Sequence, residues 1–216
     1  MLMLSLSTSG PIASAAVIKD GGILSFEAGD KSRTHSETIM PLCERALRSA
    51  GCTPRDMDAF GVDAGPGSFT GVRIGICAAN AMAAAFGKPV AAVSSLEGLL
   101  YGVDNACALL DCRNGNGYAM VRYRGFSPEP MAVVIDDLLS TLPRDILMAG
   151  DGAIMHRERI LNFLPNARFS ENNDITADRI GLAAHDKLMR GETVIEALPL
   201  YLRPSQAERL AKERNK

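Results

Sequence analysis

The part of the sequence whose residue types and spacing best suit chemistry is a glycine-rich run at residues 65–75, Gly-Pro-Gly-Ser-Phe-Thr-Gly-Val-Arg-Ile-Gly. It follows a short apolar stretch and opens a long Ala-rich helical pattern, an arrangement in which free backbone amides can bind an anion. The run lacks the Gly-Lys-Ser/Thr ending of a P-loop, and Thr70 stands where a dinucleotide-binding fingerprint has its third glycine. The sequence therefore excludes these two familiar phosphate sites.

The small residues of the same run offer a packing explanation, which we favour. Gly65 and Gly67 would form the turn before the helix. Small residues then recur one helical turn apart, at Gly71, Gly75 and Ala79, and this shortens the distance at which another helix can pack. The helix is therefore predicted to be a docking surface.

Candidate nucleophiles and metal ligands are few. Ser68 is the obvious serine nucleophile, but no Gly-x-Ser-x-Gly elbow surrounds it and no base can be assigned to it from the sequence. The three histidines, His35, His156 and His185, have no ligand spacing, and we interpret each as a helix-cap or surface residue. These residues indicate neither a zinc site nor a protease.

The elements that would position these residues begin with an antiparallel meander. Its three strands are predicted from apolar stretches bounded by turn residues, at 3–8, 13–19 and 23–28. A capping-box pattern at residues 34–37 then begins a helix that ends at Gly51. Pro41 removes one amide donor, so that either the helix kinks there or it starts a few residues later.

The rest of the chain alternates strands and helices. The first half continues with a strand at 59–63, a helix at 68–86, a strand at 90–93 and a short helix at 94–101. The second half repeats the order, with strands at 107–111, 118–123 and 131–135, a helix at 136–142, a strand at 146–149 and helices at 156–164 and 176–189. The fold class is thus α/β, with two tandem ribonuclease-H/actin-like lobes, each a mixed sheet with helices packed on it.

We predict three segments. Residues 1–104 form the N-terminal lobe with the docking helices, residues 105–203 form the C-terminal lobe, and residues 204–216 form a charged tail that is either a solvated helix or frayed. The tail could begin at a cap formed by Ser205 with Glu208.

Composition limits the functional classes. A formal net charge of −2 leaves no electrostatic footprint for extensive phosphate contact, so any RNA should be bound mainly through a partner. No apolar run reaches the roughly 20 residues of a membrane span, and the N-terminus lacks a secretory signal pattern. The five cysteines form no C-x-x-C pair and indicate neither a disulfide framework nor a zinc knuckle. We expect a cytoplasmic protein without a membrane segment.

Paired actin-like lobes normally enclose a nucleotide, so ATP or ADP is the cofactor to consider, either between the lobes or at the interface of a complex. The candidate nucleotide-binding residues lie in the two strand turns: Thr8, Ser9, Asp111 and Arg113. Ser7 occupies the position at which actin-like ATPases usually place the aspartate that holds hydrated Mg²⁺, and a neutral hydroxyl is a poor substitute there. A second interpretation, to which we give equal weight, is that Asp111 caps a turn with Asn114. Weak or absent ATP hydrolysis is expected.

Four segments in the right order over nearly the whole chain resemble one family. They are residues 65–75, residues 34–37, Asp111-Cys112-Arg113 with Tyr118, and Pro199-Leu200-Tyr201-Leu202-Arg203. The family is that of the bacterial tRNA threonylcarbamoyladenosine biosynthesis proteins TsaB, also called YeaZ. The resemblance implies an actin-like fold and a place in the machinery that attaches threonylcarbamoyl to adenosine 37 of tRNAs that read codons beginning with A. It also implies two partners, the catalytic paralogue TsaD and the ATPase subunit TsaE, with threonylcarbamoyl-adenylate as the intermediate.

One segment departs from the paralogue at its metal motif. That motif has two histidines at i and i+4, and in the resembling segment, residues 93–99, Ser95 and Leu99 stand at the two positions. A hydroxyl and an isobutyl group offer no ligands comparable to two imidazoles on one helical face. No catalytic residue and no metal are therefore expected, and the chain should not be an enzyme on its own.

The leading hypothesis is a scaffold subunit for threonylcarbamoylation of tRNA. Its two longest helices in the first half would pack against the same pair on the paralogue, and without the paralogue it should form a homodimer. The predicted interface residues are Met40, Cys43, Leu47, Val72, Ile76, Ala79 and Met82. Two alternatives remain open: an actin-like ATPase or sugar-kinase relative that binds nucleotide between its lobes, and a glycoprotease-like peptidase that uses Ser68.

Overall fold

The computed structural model describes residues 1–30, 33–125 and 129–203, and it contains two five-stranded sheets. The strands of the first sheet are β1 (Leu2–Ser7), β2 (Ser14–Lys19), β3 (Gly22–Ala28), β4 (Ala59–Asp63) and β5 (Val90–Val93). They lie in the order β3-β2-β1-β4-β5. The strands β1, β2 and β3 are antiparallel neighbours, and β4 and β5 run parallel to β1, so the predicted meander and mixed sheet are confirmed.

Helices cover both faces of the first sheet. The helices of the first half are α1 (His35–Ser49), α2 (Phe69–Phe86) and the short α3 (Ser95–Leu99), and a 3-10 turn (Pro54–Asp56) precedes β4. Because successive strand residues point to opposite faces, Leu4 packs in the cluster that holds α1 and α2, whereas Met3 packs with α3. Strand β1 is buried almost throughout, as expected for a strand between two helical layers.

The predicted boundaries of α1 are confirmed in detail. Thr34 forms the capping box with Glu37, Pro41 lies inside the helix, and Gly51 follows its end with φ of +66°. The long α2 begins at the cap Ser68 and ends at Gly87, also in the left-handed region. Both helices therefore start and stop where local capping chemistry indicates.

The second sheet forms the core of the second lobe. Its strands are β6 (Ala106–Asp111), β7 (Asn116–Arg122), β8 (Met131–Val134), β9 (Leu147–Ala149) and β10 (Arg168–Phe169), in the order β10-β9-β6-β7-β8. Its helices are α4 (Ile135–Thr141), α5 (Asp151–Met155) and α6 (Arg157–Phe163). The helix α5 and the strand β10 were not predicted, and both are shorter than the elements that sequence periodicity can reveal. Two actin-like lobes, each a mixed sheet with helices, are thus confirmed.

The last helix, α7 (Ala177–Met189), corrects the predicted extent of the second lobe. It packs on the first sheet, where Ile180 and Ala184 join the buried cluster that contains Met3 and Ile18. Residues 194–200 also return to the first lobe, since the Leu200 amide donates to the Ala64 carbonyl over 2.8 Å. The boundary near residue 104 stays a prediction, and the predicted tail at 204–216 lies outside the described residues.

Candidate functional site: the cleft between the lobes and the outer face of α2

A cleft of about 740 Å³ opens between the two lobes. The first lobe contributes the loop after β1, the first residue of α1 and the turn before α2, and the second lobe contributes the turn after β6 and the segment before α7. The polar side chains of its lining are Ser9, His35, Ser68, Asp111, Arg113, Tyr118, Asp151, Asn173 and Asp174. Three carboxylates therefore face one guanidinium in this cleft.

The four predicted nucleotide residues divide between cleft and core. Ser9, Asp111 and Arg113 line the cleft, as the prediction requires. Thr8 does not: it is buried, and its Oγ1 donates to the Gly71 carbonyl over 2.7 Å. Thr8 thus fastens the end of β1 to the first turn of α2, and the structure gives its side chain no path to a ligand in the cleft.

A fully buried carboxylate, Asp63 at the end of β4, lies beneath the cleft. Three hydroxyls donate to it: Ser7 Oγ over 2.9 Å, Ser95 Oγ over 2.6 Å, and Ser9 Oγ in a short contact. The Gly65 amide donates as well, over 2.9 Å. Burial raises the pKa of Asp63, and the hydrogen bonds from these four donors offset part of that rise.

This network gives the metal-motif positions a structural role. Ser95 is fully buried, and its hydroxyl donates to Asp63 and lies 3.1 Å from Ser9 Oγ. Leu99 is 1% exposed and packs between α3 and the second sheet. Ser7, at the position of the Mg²⁺-holding aspartate, bonds the same carboxylate. The hydroxyls at both of these predicted positions therefore satisfy a protein carboxylate. Within the three described ranges, no group of three or more His, Cys, Asp or Glu side chains could hold a metal ion.

Asp111 accepts a hydrogen bond from His156, which the sequence predicted to be a helix-cap or surface residue. His156 Nε2 lies 2.9 Å from Asp111 Oδ1, and since a carboxylate only accepts, this nitrogen donates. Asp111 Oδ2 accepts the Arg113 amide over 3.1 Å, and the Asp111 amide donates to Asp151 Oδ1 over 3.1 Å. Burial raises the pKa of Asp151. His156 sits at the junction of α5 and α6, so its predicted cap position is confirmed and its contact with Asp111 is additional.

The serine and histidine on the first-lobe side of the cleft have structural partners. Ser68 Oγ accepts from the Gly71 amide over 3.2 Å and caps α2. His35 Nε2 lies 2.9 Å from the Gly10 carbonyl, which requires a proton on that nitrogen. The third histidine, His185, lies on α7 against Gly21, so the structure does not bring the three histidines together.

Two of the three small residues predicted to face another helix, Gly71 and Gly75, lie instead against Thr8, the residue that follows β1. A Cβ at Gly71 would lie 2.0 Å from the Thr8 carbonyl oxygen, and one at Gly75 would lie 2.4 Å from Thr8 Oγ1. The amides of Gly65 and Ser68 are also engaged, with Asp63 and with the Ser9 carbonyl. Close approach is therefore the correct role for these glycines, and the engaged amides do not favour an anion site in the turn.

Most of the predicted interface residues lie in the core of the first lobe. Val72, Ile76 and Ala79 are at most 4% exposed and belong to the cluster between α1, α2 and the sheet. Met40 is 48% exposed. Four predicted residues line a groove of about 370 Å³ beside α1: Met40, Cys43, Leu47 and Met82. A partner can reach this groove, whereas it cannot reach the three core residues without rearrangement.

The outer face of α2 carries a different set of residues, which sequence reasoning missed. Arg73, Cys77, Ala81 and Ala84 are exposed, and their spacing of three or four places them along one side of the helix. Among the described residues α2 is the one helix long and apolar enough to cross a membrane, but its other side is packed on the sheet. It is therefore a core helix with an uncovered apolar side.

Comparison with known proteins places the chain in context. The family model of tRNA N6-adenosine threonylcarbamoyltransferase (TsaD) matches residues 15–141. The tRNA threonylcarbamoyladenosine biosynthesis protein TsaB of Bacillus subtilis (strain 168) is 27% identical over 96% of this chain and 96% of its own length. A tRNA N6-adenosine threonylcarbamoyltransferase of Geotalea uraniireducens (strain Rf4) is 37% identical over 45% of this chain, but the match spans only 33% of that enzyme.

A solved structure with a high TM-score matches over nearly its whole length. It is a crystal structure from Pseudomonas aeruginosa described as an uncharacterized protein with similarity to peptidase YEAZ, with a TM-score of 0.79 and 28% identity over 94% of this chain and 99% of that one. An activator of 2-hydroxyisocaproyl-CoA dehydratase from Clostridium difficile has a TM-score of 0.56 at 10% identity, covering 89% of this chain and 97% of its own, and indicates the shared fold alone. The resemblance derived from the sequence motifs is thus confirmed.

Proposed function

Because the chain belongs to the TsaD family of actin-like proteins, on its TsaB (YeaZ) branch, we propose that it is a non-catalytic subunit for threonylcarbamoyladenosine biosynthesis on tRNA. In this proposal it dimerises with a TsaD-like catalytic paralogue, a TsaE-like ATPase joins the pair, and tRNA is bound through the complex. The observation that carries the non-catalytic assignment is the Asp63 network, in which Ser7 and Ser95 occupy the positions of metal-binding residues and are already hydrogen-bonded.

The uncovered side of α2 supports docking through the first lobe. Small side chains at Cys77, Ala81 and Ala84 allow the axis of a partner helix to approach closely, and the apolar groove beside α1 can receive larger side chains. Exposure of the apolar strip formed by Cys77, Ala81 and Ala84 to water is unfavourable, and contiguous apolar patches on monomers are usually small for this reason. The same strip accounts for a homodimer when the chain is alone, since a two-fold axis pairs identical faces.

The proposed complex makes the reconstituted reaction the deciding experiment. A TsaD-like enzyme, a TsaE-like ATPase and chemically prepared threonylcarbamoyl-adenylate are incubated with tRNA, with and without this chain. We expect threonylcarbamoyladenosine, measured by mass spectrometry of digested tRNA, to fall to background when the chain is left out. Modification at the full rate without the chain would remove it from the reaction, and modification by the chain alone would refute its non-catalytic role.

Nucleotide binding is the alternative to the scaffold function, and the cleft between the lobes is where a nucleotide would bind. Asp111, Asp151 and Asp174 would meet a polyphosphate with like charge, and Arg113 supplies one opposing cation. Ser7 offers no carboxylate for Mg²⁺. We therefore expect that the isolated chain releases no phosphate from Mg-ATP above the buffer blank in a coupled assay. Micromolar, Mg²⁺-dependent binding in calorimetry together with turnover would instead favour an ATPase.

The peptidase alternative rests on the name of a structural relative and on Ser68. The hydroxyl of Ser68 accepts a hydrogen bond from the Gly71 amide, which assigns it to capping α2. His35, which shares the cleft, directs its Nε2 to the Gly10 carbonyl. The geometry thus offers no activated nucleophile at Ser68, and we do not propose proteolysis.

A further inference from the structure

The segment at residues 193–203, which we call the strap, contains the motif Pro199-Leu200-Tyr201-Leu202-Arg203, for which the proposed function gives no role. It begins at the free edge of the first sheet, where Val194 and Val90 exchange two backbone hydrogen bonds of 2.9 Å. Next to α2, the Asn80 side chain bonds both backbone groups of Ala197, over 3.0 and 2.9 Å. The first half of the strap is therefore fixed to the first lobe by its backbone.

The strap then reaches the mouth of the cleft. The Leu200 amide donates to the Ala64 carbonyl over 2.8 Å. The Tyr201 ring stacks on Phe69, with centroids 5.0 Å apart and planes 21° apart, and Arg73 Nε donates to the Tyr201 hydroxyl over 2.8 Å. Phe69 is the first residue of α2 and lines the cleft. The strap is thus joined to the first-lobe rim of the cleft.

Arg203 carries the strap across to the second lobe. Its guanidinium donates from Nη2 to Asn116 Oδ1 over 2.8 Å and from Nη1 to Cys112 Sγ over 3.5 Å. Cys112 lines the cleft, and Asn116 begins β7 on the far side of the same turn. The strap therefore contacts both rims of the cleft. It does so through a stacked aromatic pair at the first-lobe rim and through two hydrogen bonds from the Arg203 guanidinium at the second-lobe rim.

We infer that the strap is a latch, which holds the lobes closed over the cleft through Arg203 and controls access to the cleft. The geometry favours release at Arg203, because a side chain with two hydrogen bonds is easier to detach than a backbone fixed at Val90, Asn80 and Ala64. Release would expose Cys112 and loosen the stack on Phe69 at the start of α2. This inference does not depend on the proposed partner or on tRNA.

The test uses the full chain and the reactivity of two thiols in the same molecule. Cys112 lies under Arg203, and Cys77 is exposed on α2 and serves as the reference at a fixed protein concentration. Arg203→Lys keeps the positive charge near Cys112 but loses the planar fork that holds two acceptors. We expect maleimide to alkylate Cys112 about tenfold faster in Arg203→Lys, a factor that corresponds to ~1.4 kcal/mol, with the Cys77 rate unchanged.

Two further variants complete the test: one checks the direction of the change in the Cys112 alkylation rate, and the other is a control. Arg203→Ala removes both hydrogen bonds together with the positive charge beside Cys112. Loss of that charge alone would slow alkylation by disfavouring the thiolate, so a Cys112 rate above that of the unmodified chain is expected only from release of the latch. Arg190→Lys makes the arginine-to-lysine substitution at an exposed pair with Glu192, away from the cleft, and should leave the rate unchanged. Hydrogen exchange of residues 64–71 should rise with Cys112 reactivity. Cys112 rates that do not rise in either Arg203→Lys or Arg203→Ala, or an equal rise in Arg190→Lys, would overturn the latch.

Discussion

Placing a carboxylate at Ala81 is expected to abolish association with the TsaD-like paralogue while leaving the chain folded. Ala81 is exposed on the outer side of α2, so that in the monomer Ala81→Asp costs less than about 1 kcal/mol through helix propensity. In a helix-helix interface the same carboxylate would be buried without a partner, a loss of at least ~3 kcal/mol or ~100-fold in affinity. Titration calorimetry with the paralogue measures this loss, and sedimentation velocity should show that the homodimer becomes a monomer.

A matched substitution on the second lobe separates a surface effect from an interface effect. Met155→Asp also replaces an exposed apolar side chain with a carboxylate, on α5 and away from α2. It should bind the paralogue with unchanged affinity and remain dimeric alone. If Met155→Asp weakened binding while Ala81→Asp bound like the unmodified chain, the docking surface would have to be moved to the second lobe.

The choice of Ala81 depends on the structure, because the sequence predicted the opposite side of α2. Its apolar residues run nearly all round the helix, so hydrophobic periodicity could not show which side faces the sheet. Val72 and Ala79 proved to be core residues. A charge at either of them would unfold the lobe and would say nothing about docking.

The packing of α7 on the first sheet could also be predicted, from the burial pattern of the strands. Helix periodicity located α7 but not the surface on which it packs. The sheet gives the missing information, because both Met3 and Leu4, on opposite faces of β1, are fully buried and both faces therefore need a helical layer. The first half of the chain supplies α1 and α2 for one face and only the five-residue α3 for the other. A later helix had to return to the first lobe, and α7 does so.

The network beneath the cleft could not be predicted from local patterns. The sequence shows Asp63 only as the end of a buried strand, and it places Ser7, Ser9 and Ser95 in three separate motifs. Parallel pairing brings the carboxyl ends of β1, β4 and β5 to one edge, with Leu6 opposite Val62 and Asp63 opposite Val93 in the ladder. The hydroxyls meet the carboxylate only because this register is set by tertiary structure.

Removing the carboxylate of Asp63 is expected to destabilise the chain strongly. Asp63→Ala leaves three buried hydroxyls and one buried amide without their acceptor, and we expect a loss of about 4 kcal/mol in the free energy of unfolding. Asp63→Asn keeps one acceptor oxygen and should lose only about 1–2 kcal/mol. Asp58→Ala, which removes an exposed carboxylate bonded to the Leu2 amide, should lose less than about 1 kcal/mol. Urea denaturation measures all three.

The pH dependence of the free energy of unfolding of the same variants tests whether ionisation of the buried Asp63 carboxyl destabilises the folded chain. The pKa of Asp63 is raised in the folded state above its ordinary value of 3.8, so the folded chain holds this proton more tightly than the unfolded chain. Its contribution to stability is fully present below pH 3.8 and is lost as the pH rises through the folded-state pKa. The free energy of unfolding of the unmodified chain should therefore fall relative to that of Asp63→Asn between pH 4 and pH 7. A constant difference over that range would mean that the hydrogen bonds from the three serines and Gly65 fully compensate the burial of the charge.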